Sequence, residues 1–365
     1  MTEYRLISSD SHVTMPDEAW QVYLDPEFRD RAPRIEHTDE GDFRVFEGRR
    51  TQIMTLDNLA GKKPEEFKLN VRKLDEQRSG AWDPVERIKD MDLDGVGAEV
   101  LYVGGPLASS DPALHLNSVR GYNRWLSDFA SHAPDRLLGV AAIPIGTPEL
   151  AAAEIKFAAS QPGLVSGYIP LFPPEGDYGD RKWDVMWKAF LDADIPIGLH
   201  VGGRRPGTPQ ASIYESAPRF MTGLVMSKLT MAEAISELIH GLVMQRFPDL
   251  KFVAVEGQIG WISFFQYYSD HLWEKHRYWT KSELAEPPSH FFKRQVCATF
   301  MEDPVGLRER HIIGIDNIMW ASDYPHSETT WPNSKSLTDE WFTPFGEDDK
   351  RKVLWQNAAK LYRLA

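Results

Sequence analysis

The chain has 365 residues, with 41 Lys+Arg against 54 Asp+Glu, a net charge of −13 and one cysteine. That length allows two domains or one barrel of alternating strands and helices. The charge has the wrong sign for nucleic acid or anionic membranes, and the lone Cys297 excludes an internal disulfide framework and a Cys-rich zinc site.

The opening Met1-Thr2-Glu3-Tyr4-Arg5-Leu6-Ile7 has no basic stretch leading into an apolar core, so no signal peptide is expected. No apolar run approaches the roughly 20 residues of a membrane span, and the expected compartment is the cytoplasm. Eight short apolar runs bounded by turn residues predict strands at 4–9, 98–104, 137–145, 165–171, 196–201, 250–256, 295–300 and 317–322. Most are continuously apolar, as suits parallel strands buried on both faces.

Helical spacing falls between them, at 83–94, 112–132, 148–160, 182–193, 221–247, 260–279, 303–311 and 347–362. The first opens on Asp83-Pro84, spaces Val85, Ile88, Met91 and Leu93 along one side, and meets a stop at Gly95. The last carries Val353, Leu354, Ala358 and Leu361. Eight alternations of strand and helix predict an α/β fold, a (β/α)8 TIM barrel forming a single domain over 1–365. Two segments exceed the barrel's needs: an insertion at 15–82 and a Gly/Pro-punctuated loop at 202–220, expected to border the active site.

Chemistry-bearing residues gather where the predicted strands end. Asp10 and His12 lie two apart, so both side chains can point to one side. His200 closes the fifth strand, Glu256 the sixth and Asp323 the eighth, with His326 across a Tyr324-Pro325 turn. In such barrels catalytic groups collect at the C-terminal strand ends. The convergence predicts a divalent-metal site of Asp10, His12, His200, Glu256, Asp323 and His326, with Asp323 and Glu256 also the catalytic acid/base candidates. Glu256 reads alternatively as a buried acid salt-bridged to an Arg, and His326 as a residue that only orients Asp323. Arg204 and Arg205 follow the His200 strand end and read either as a fork for a substrate anion or as a solvated pair. No Walker lysine, Gly-x-Gly-x-x-Gly or Gly-x-Ser-x-Gly is present.

A set of motifs spread over nearly the whole chain resembles one family. They are Ser8-Ser9-Asp10-Ser11-His12-Val13, Trp82-Asp83-Pro84, Asp92-Leu93-Asp94-Gly95-Val96, Phe247-Pro248-Asp249-Leu250, Ser322-Asp323-Tyr324-Pro325-His326 and Gln356-Asn357-Ala358-Ala359-Lys360-Leu361-Tyr362. Together they resemble the amidohydrolase-related barrels of the aminocarboxymuconate-semialdehyde decarboxylase type. The resemblance implies a metal-dependent barrel, usually a dimer, that cleaves C–C or C–N bonds without redox change.

The chain departs from the pattern at two positions. It opens on Asp10-x-His12 where the family often has His-x-His, and it places Glu256 where a His is common. Three carboxylates and three imidazoles exceed the roughly four protein ligands of a mononuclear zinc or manganese site. Such a set suits two metals, and hard oxygen with imidazole donors favours iron or manganese. In this the chain resembles a subset of the family, the dinuclear iron or manganese–iron oxygenases. The first expectation is therefore a dinuclear monooxygenase that hydroxylates an aliphatic C–H bond of a small organic substrate with O₂. It would draw electrons from an external reductase or ferredoxin, and assemble as a homodimer or with a homologous subunit. The alternative is a non-redox decarboxylase or hydrolase with one zinc or manganese.

Overall fold

Continuous apolar runs form the expected parallel strands, because a strand covered on both faces has no side to give to water. A computed structural model of the chain describes residues 6–53, 58–68, 73–208 and 216–364. Expected features at 1–5, at 54–57 and 69–72 of the insertion, and at 209–215 of the long loop lie outside the described residues. The strands are β1 (Leu6–Val13), β2 (Arg34–Thr38), β3 (Gly41–Phe46), β4 (Arg49–Gln52), β5 (Val96–Val103), β6 (Leu137–Ala142), β7 (Leu164–Ile169), β8 (Ile197–His200), β9 (Phe252–Val255), β10 (Val296–Phe300) and β11 (Ile318–Trp320). Eight of them follow in the order β1-β5-β6-β7-β8-β9-β10-β11 with helices between them, the (β/α)8 barrel fold that the alternation predicted. Among the described residues no helix is long and apolar enough to cross a membrane.

The described residues divide into two compact units. The first comprises Met1–Ala142, Ser160–Val165 and Ala321–Pro344. In it β1 pairs with β5, and β5 with β6. The insertion, which showed no periodicity in sequence, contains the antiparallel sheet β2-β3-β4. Its strands are short, and the outer strands β2 and β4 are polar and mostly exposed, so no apolar alternation marks them. The helix Pro84–Asp94 begins as predicted, with the Asp83 carboxylate accepting from Val85 and Glu86 N–H, and ends on Gly95 in the left-handed region (φ 75°).

Beneath β1 lies a fully buried ion pair. The Arg87 guanidinium donates to the Glu99 carboxylate of β5, and also to the carbonyls of His12 (2.7 Å) and Gly80 (3.1 Å). Burial pushes the Glu99 carboxyl up, and the Arg87 charge acts against it. The pair therefore ties β1, β5 and the helix Pro84–Asp94 together through charge that water does not reach.

The second unit comprises Ile143–Ala159, Ser166–Trp320 and Phe345–Ala365. Here β8 pairs in register with β9, from Ile197 against Phe252 to His200 against Val255. β10 lies between β9 and β11. The helix expected at 221–247 is instead Ala217–His240, then a break at Gly241-Leu242 with Leu242 left-handed (φ 64°), then Val243–Arg246. Cys297 sits in β10 as expected, and burial pushes its thiol up to about 11, far from a thiolate ligand. Among the tryptophans, Trp320 is fully buried, whereas Trp279 is 72% exposed.

Replacing Arg87 with Met leaves Glu99 buried without its counter-charge, which typically costs about 3–5 kcal/mol. Chemical denaturation of Arg87→Met is expected to show a loss of that size. A loss below about 1 kcal/mol, the range of an exposed pair, would contradict the role given to this ion pair.

Candidate metal centre

β1 is polar for a buried strand, and its hydroxyls explain how that is tolerated. Ser8 Oγ donates to the Asp10 carbonyl (2.8 Å) and lies 2.9 Å from Ser11 Oγ, which is 3.1 Å from Ser322 Oγ. Ser322 N–H donates to Ser8 Oγ (2.8 Å), Asp323 N–H to the Asp10 carbonyl (3.0 Å) and His12 N–H to the Tyr324 carbonyl (2.6 Å). The segment after β11 is thereby fastened alongside β1. Between Ser8, opposite Glu99, and Ser11, opposite Leu101, the register slips by one residue, a bulge that re-aims Asp10.

This fastening gathers four of the predicted site residues in the first unit. His12 Nε2 lies 3.4 Å from Asp10 Oδ1 and 3.3 Å from Asp323 Oδ1. His326 Nδ1 is 3.2 Å from the same Asp323 oxygen, and its ring stacks on His12 at 3.8 Å between centroids. Asp10 and Asp323 are both buried. Asp323 holds a left-handed backbone (φ 55°), a conformation Asp tolerates better than most residues. Burial alone pushes the Asp323 carboxyl up, but the charge of His326 and hydrogen bonds from His12 and His326 outweigh it and hold it well below the usual carboxylate range. Two buried carboxylates around one imidazole are the donor set of a hard or borderline divalent cation.

The second unit positions the other two. His200 ends β8, with Nδ1 3.0 Å from the Val201 carbonyl. A hydrogen bond there makes Nδ1 the protonated nitrogen and presents Nε2 as the ligand atom, the usual arrangement of a metal-bound His. Nε2 lies 3.3 Å from Glu256 Oε2. Glu256 follows β9 in a left-handed conformation (φ 58°), its N–H donating to Thr299 Oγ1 of β10 (2.8 Å). Downstream, the Asp303 carboxylate accepts from Ile259 N–H (2.8 Å) and Gly260 N–H (2.6 Å), which fixes the turn.

The same unit shows a partner that sequence reasoning missed. Lys228 Nζ is 2.7 Å from Glu256 Oε1. In sequence Lys228 is one cation within Met226-Ser227-Lys228-Leu229, with no motif to mark it. The salt-bridged reading of Glu256 thus has its cation, a lysine rather than an arginine. Arg205 is engaged by acidic side chains: Glu237, Glu233 (3.3 Å) and Asp177 (3.4 Å), with its guanidinium 4.8 Å from the Phe172 ring centre. Arg204 lies partly buried nearby, against Gly223.

Among protein families, residues 19–364 match the family described as amidohydrolase. A gamma-resorcylate decarboxylase from Polaromonas is 26% identical over 305 residues, covering 76% of this chain and 86% of the relative. Among solved structures, an amidohydrolase from Mycobacterium avium subsp. paratuberculosis aligns with a TM-score of 0.76 at 21% identity, over 99% of this chain and 100% of its own. A dihydroxybenzoic acid decarboxylase from Polaromonas, with bound manganese and the inhibitor 2-nitroresorcinol, aligns with a TM-score of 0.67 at 18% identity, over 99% and 97%.

These findings correct the oxygenase expectation. The relatives are decarboxylases, and the metal found among them is manganese, so neither a monooxygenase nor a dinuclear iron or manganese–iron centre is supported. The dinuclear expectation rested on a donor count that included Glu256, and the structure adds what that count lacked: Glu256 faces an ammonium group.

His326→Phe keeps a ring to stack on His12 and removes the nitrogen that faces Asp323. Loss of such an orienting partner typically weakens metal binding about 10–100-fold. Competition against a chelating dye with manganese is expected to show that drop; unchanged affinity would contradict the orienting role.

Proposed function

The chain belongs to the amidohydrolase family, and from that premise we propose that it is a metal-dependent decarboxylase acting on a phenolic acid without redox change. Decarboxylase relatives matching most of both chains support the reaction class. The observation that carries the reading is the buried pair Asp10 and Asp323 around His12, a cation-binding donor set alongside the first strand. We assign one divalent ion, manganese or zinc, to the donor set of the first unit, Asp10, His12 and Asp323. Three protein ligands leave a catalytic ion its open position. Glu256 and His326 stay outside this set, because the first is paired with Lys228 and the second faces Asp323.

When bound, the ion supplies positive charge that orients the substrate's oxygens and stabilises negative charge developing on the ring. The reaction's balance defines what the chain itself must do. The bond from ring carbon to carboxylate breaks, its electron pair stays on the ring carbon, CO₂ leaves and one proton is delivered to that carbon. That proton is held on the His326–Asp323 pair, and Asp323 is the candidate group to pass it to the ring carbon as His326 supplies it. His326 Nδ1, 3.2 Å from Asp323 Oδ1, is placed to return a proton to it after each turnover. Burial of Asp10, His12 and Asp323 keeps bulk water from competing for that proton.

Manganese-loaded protein supplied with a panel of hydroxybenzoates, 2,6-dihydroxybenzoate first, is expected to release CO₂ in proportion to substrate lost, and a chelator is expected to stop it. Asp323→Asn is expected to lower kcat at least about 100-fold, the usual contribution of a general acid. Absence of CO₂ from every phenolic acid tried with fully metallated protein would overturn the proposal.

A further inference from the structure

We propose that Asp90, on the helix Pro84–Asp94, is a positioning residue for the metal centre: through the Tyr324 hydroxyl it fixes how Asp323 and His12 meet. The inference deepens the metal-site reading above and rests on it for the loss of affinity it predicts. All the residues involved belong to the first unit.

Tyr324 stands between two of the donors. It follows Asp323 in the chain, and its carbonyl accepts the His12 N–H at 2.6 Å. A rotation at this one residue therefore moves Asp323 and His12 against each other. The backbone is pinned on the other side as well, since the Pro325 carbonyl accepts Leu59 N–H (2.8 Å) and Ala60 N–H (3.0 Å). The Tyr324 side chain is buried, and its hydroxyl donates to the Asp90 carboxylate. A buried phenol hydroxyl needs a partner, and an ionised acceptor makes a bond about twice as strong as a neutral one.

Asp90 is itself held in place. Arg78 grips both of its oxygens, with Nε at 2.9 Å and Nη2 at 2.6 Å, and the Asp90 carbonyl accepts from Trp331 Nε1 at 3.0 Å. The Arg78 guanidinium lies over the Trp331 ring at 4.0 Å, and that ring meets Tyr324 edge-on at 5.9 Å. Four residues on, and so on the same helix face, Asp94 accepts the Ser334 N–H (2.7 Å) and hydroxyl. The two carboxylates thus hold both ends of the stretch 324–334, which contains His326. Gly80 makes room for the first of these contacts. A Cβ there would stand 2.5 Å from both Asp90 Oδ2 and the Tyr324 hydroxyl oxygen.

The test compares wild type with Tyr324→Phe, which loses only the hydroxyl. It reads manganese affinity by competition with a chelating dye, amide hydrogen exchange of the metal-free protein, and stability by chemical denaturation. Tyr324→Phe is expected to bind manganese about 10–100-fold more weakly, as loss of a partner behind a metal ligand usually does. Its exchange is expected to rise at 10–14 and 321–326 and to stay at the wild-type level in β5. Asp90→Asn keeps an oxygen for the phenol, so it is expected to bind manganese more tightly than Asp90→Leu; equal affinities overturn the role of that acceptor. Wild-type affinity in a folded Tyr324→Phe overturns the proposal. So does weaker binding with faster exchange throughout the chain, the mark of a merely structural bond. If Tyr324→Phe or Asp90→Leu does not fold, Gly80→Ala, whose methyl forces the same pair apart, decides in its place by the same readings. Wild type that binds no manganese overturns the metal reading instead, and the exchange pattern then decides the role of Asp90.

Discussion

The donor cluster of the first unit depends on one main-chain hydrogen bond and the hydroxyls around it. The Asp323 N–H donated to the Asp10 carbonyl, with Ser8, Ser11 and Ser322 interlocked beside it, fixes the segment after β11 against β1. Two carboxylates that are more than 300 residues apart in sequence thereby face the same imidazole nitrogen. Serines in a buried strand would be costly without partners; here the hydroxyls of Ser8, Ser11 and Ser322 satisfy one another and the cost becomes positional precision. The Arg87–Glu99 pair then backs this assembly by holding the His12 carbonyl from below.

Charge accounts for what the site can hold. Asp323 remains ionised because His326 and His12 offset the burial that would otherwise protonate it. Glu256, also near an imidazole, faces an ammonium from a neighbouring helix. The two carboxylates therefore stand in different surroundings, Asp323 among imidazoles and Glu256 between an imidazole and an ammonium.

Much of the barrel was legible because buried parallel strands leave continuous apolar runs, and β5 through β11 fall within a few residues of them. Asp10, His12, His200, Glu256 and Asp323 could be placed at strand ends for the same reason. The insertion's sheet was not legible, since its outer strands β2 and β4 are short, polar and mostly exposed. Nor was the helix break at Leu242, where Gly241 gave the signal but apolar periodicity continued through it. The largest misreading, an oxygenase, came from counting donors without knowing their partners. Sequence displays Glu256 at its strand end but not the lysine 28 positions earlier that meets it.

The most direct measurement of the central claim is turnover in D₂O under air with manganese-loaded protein and a hydroxybenzoate substrate, followed by NMR and mass spectrometry of the product. The account predicts a product with one deuterium at the ring carbon that carried the carboxylate, and no oxygen added. A product that gains oxygen, or that lacks deuterium at that carbon, would contradict it.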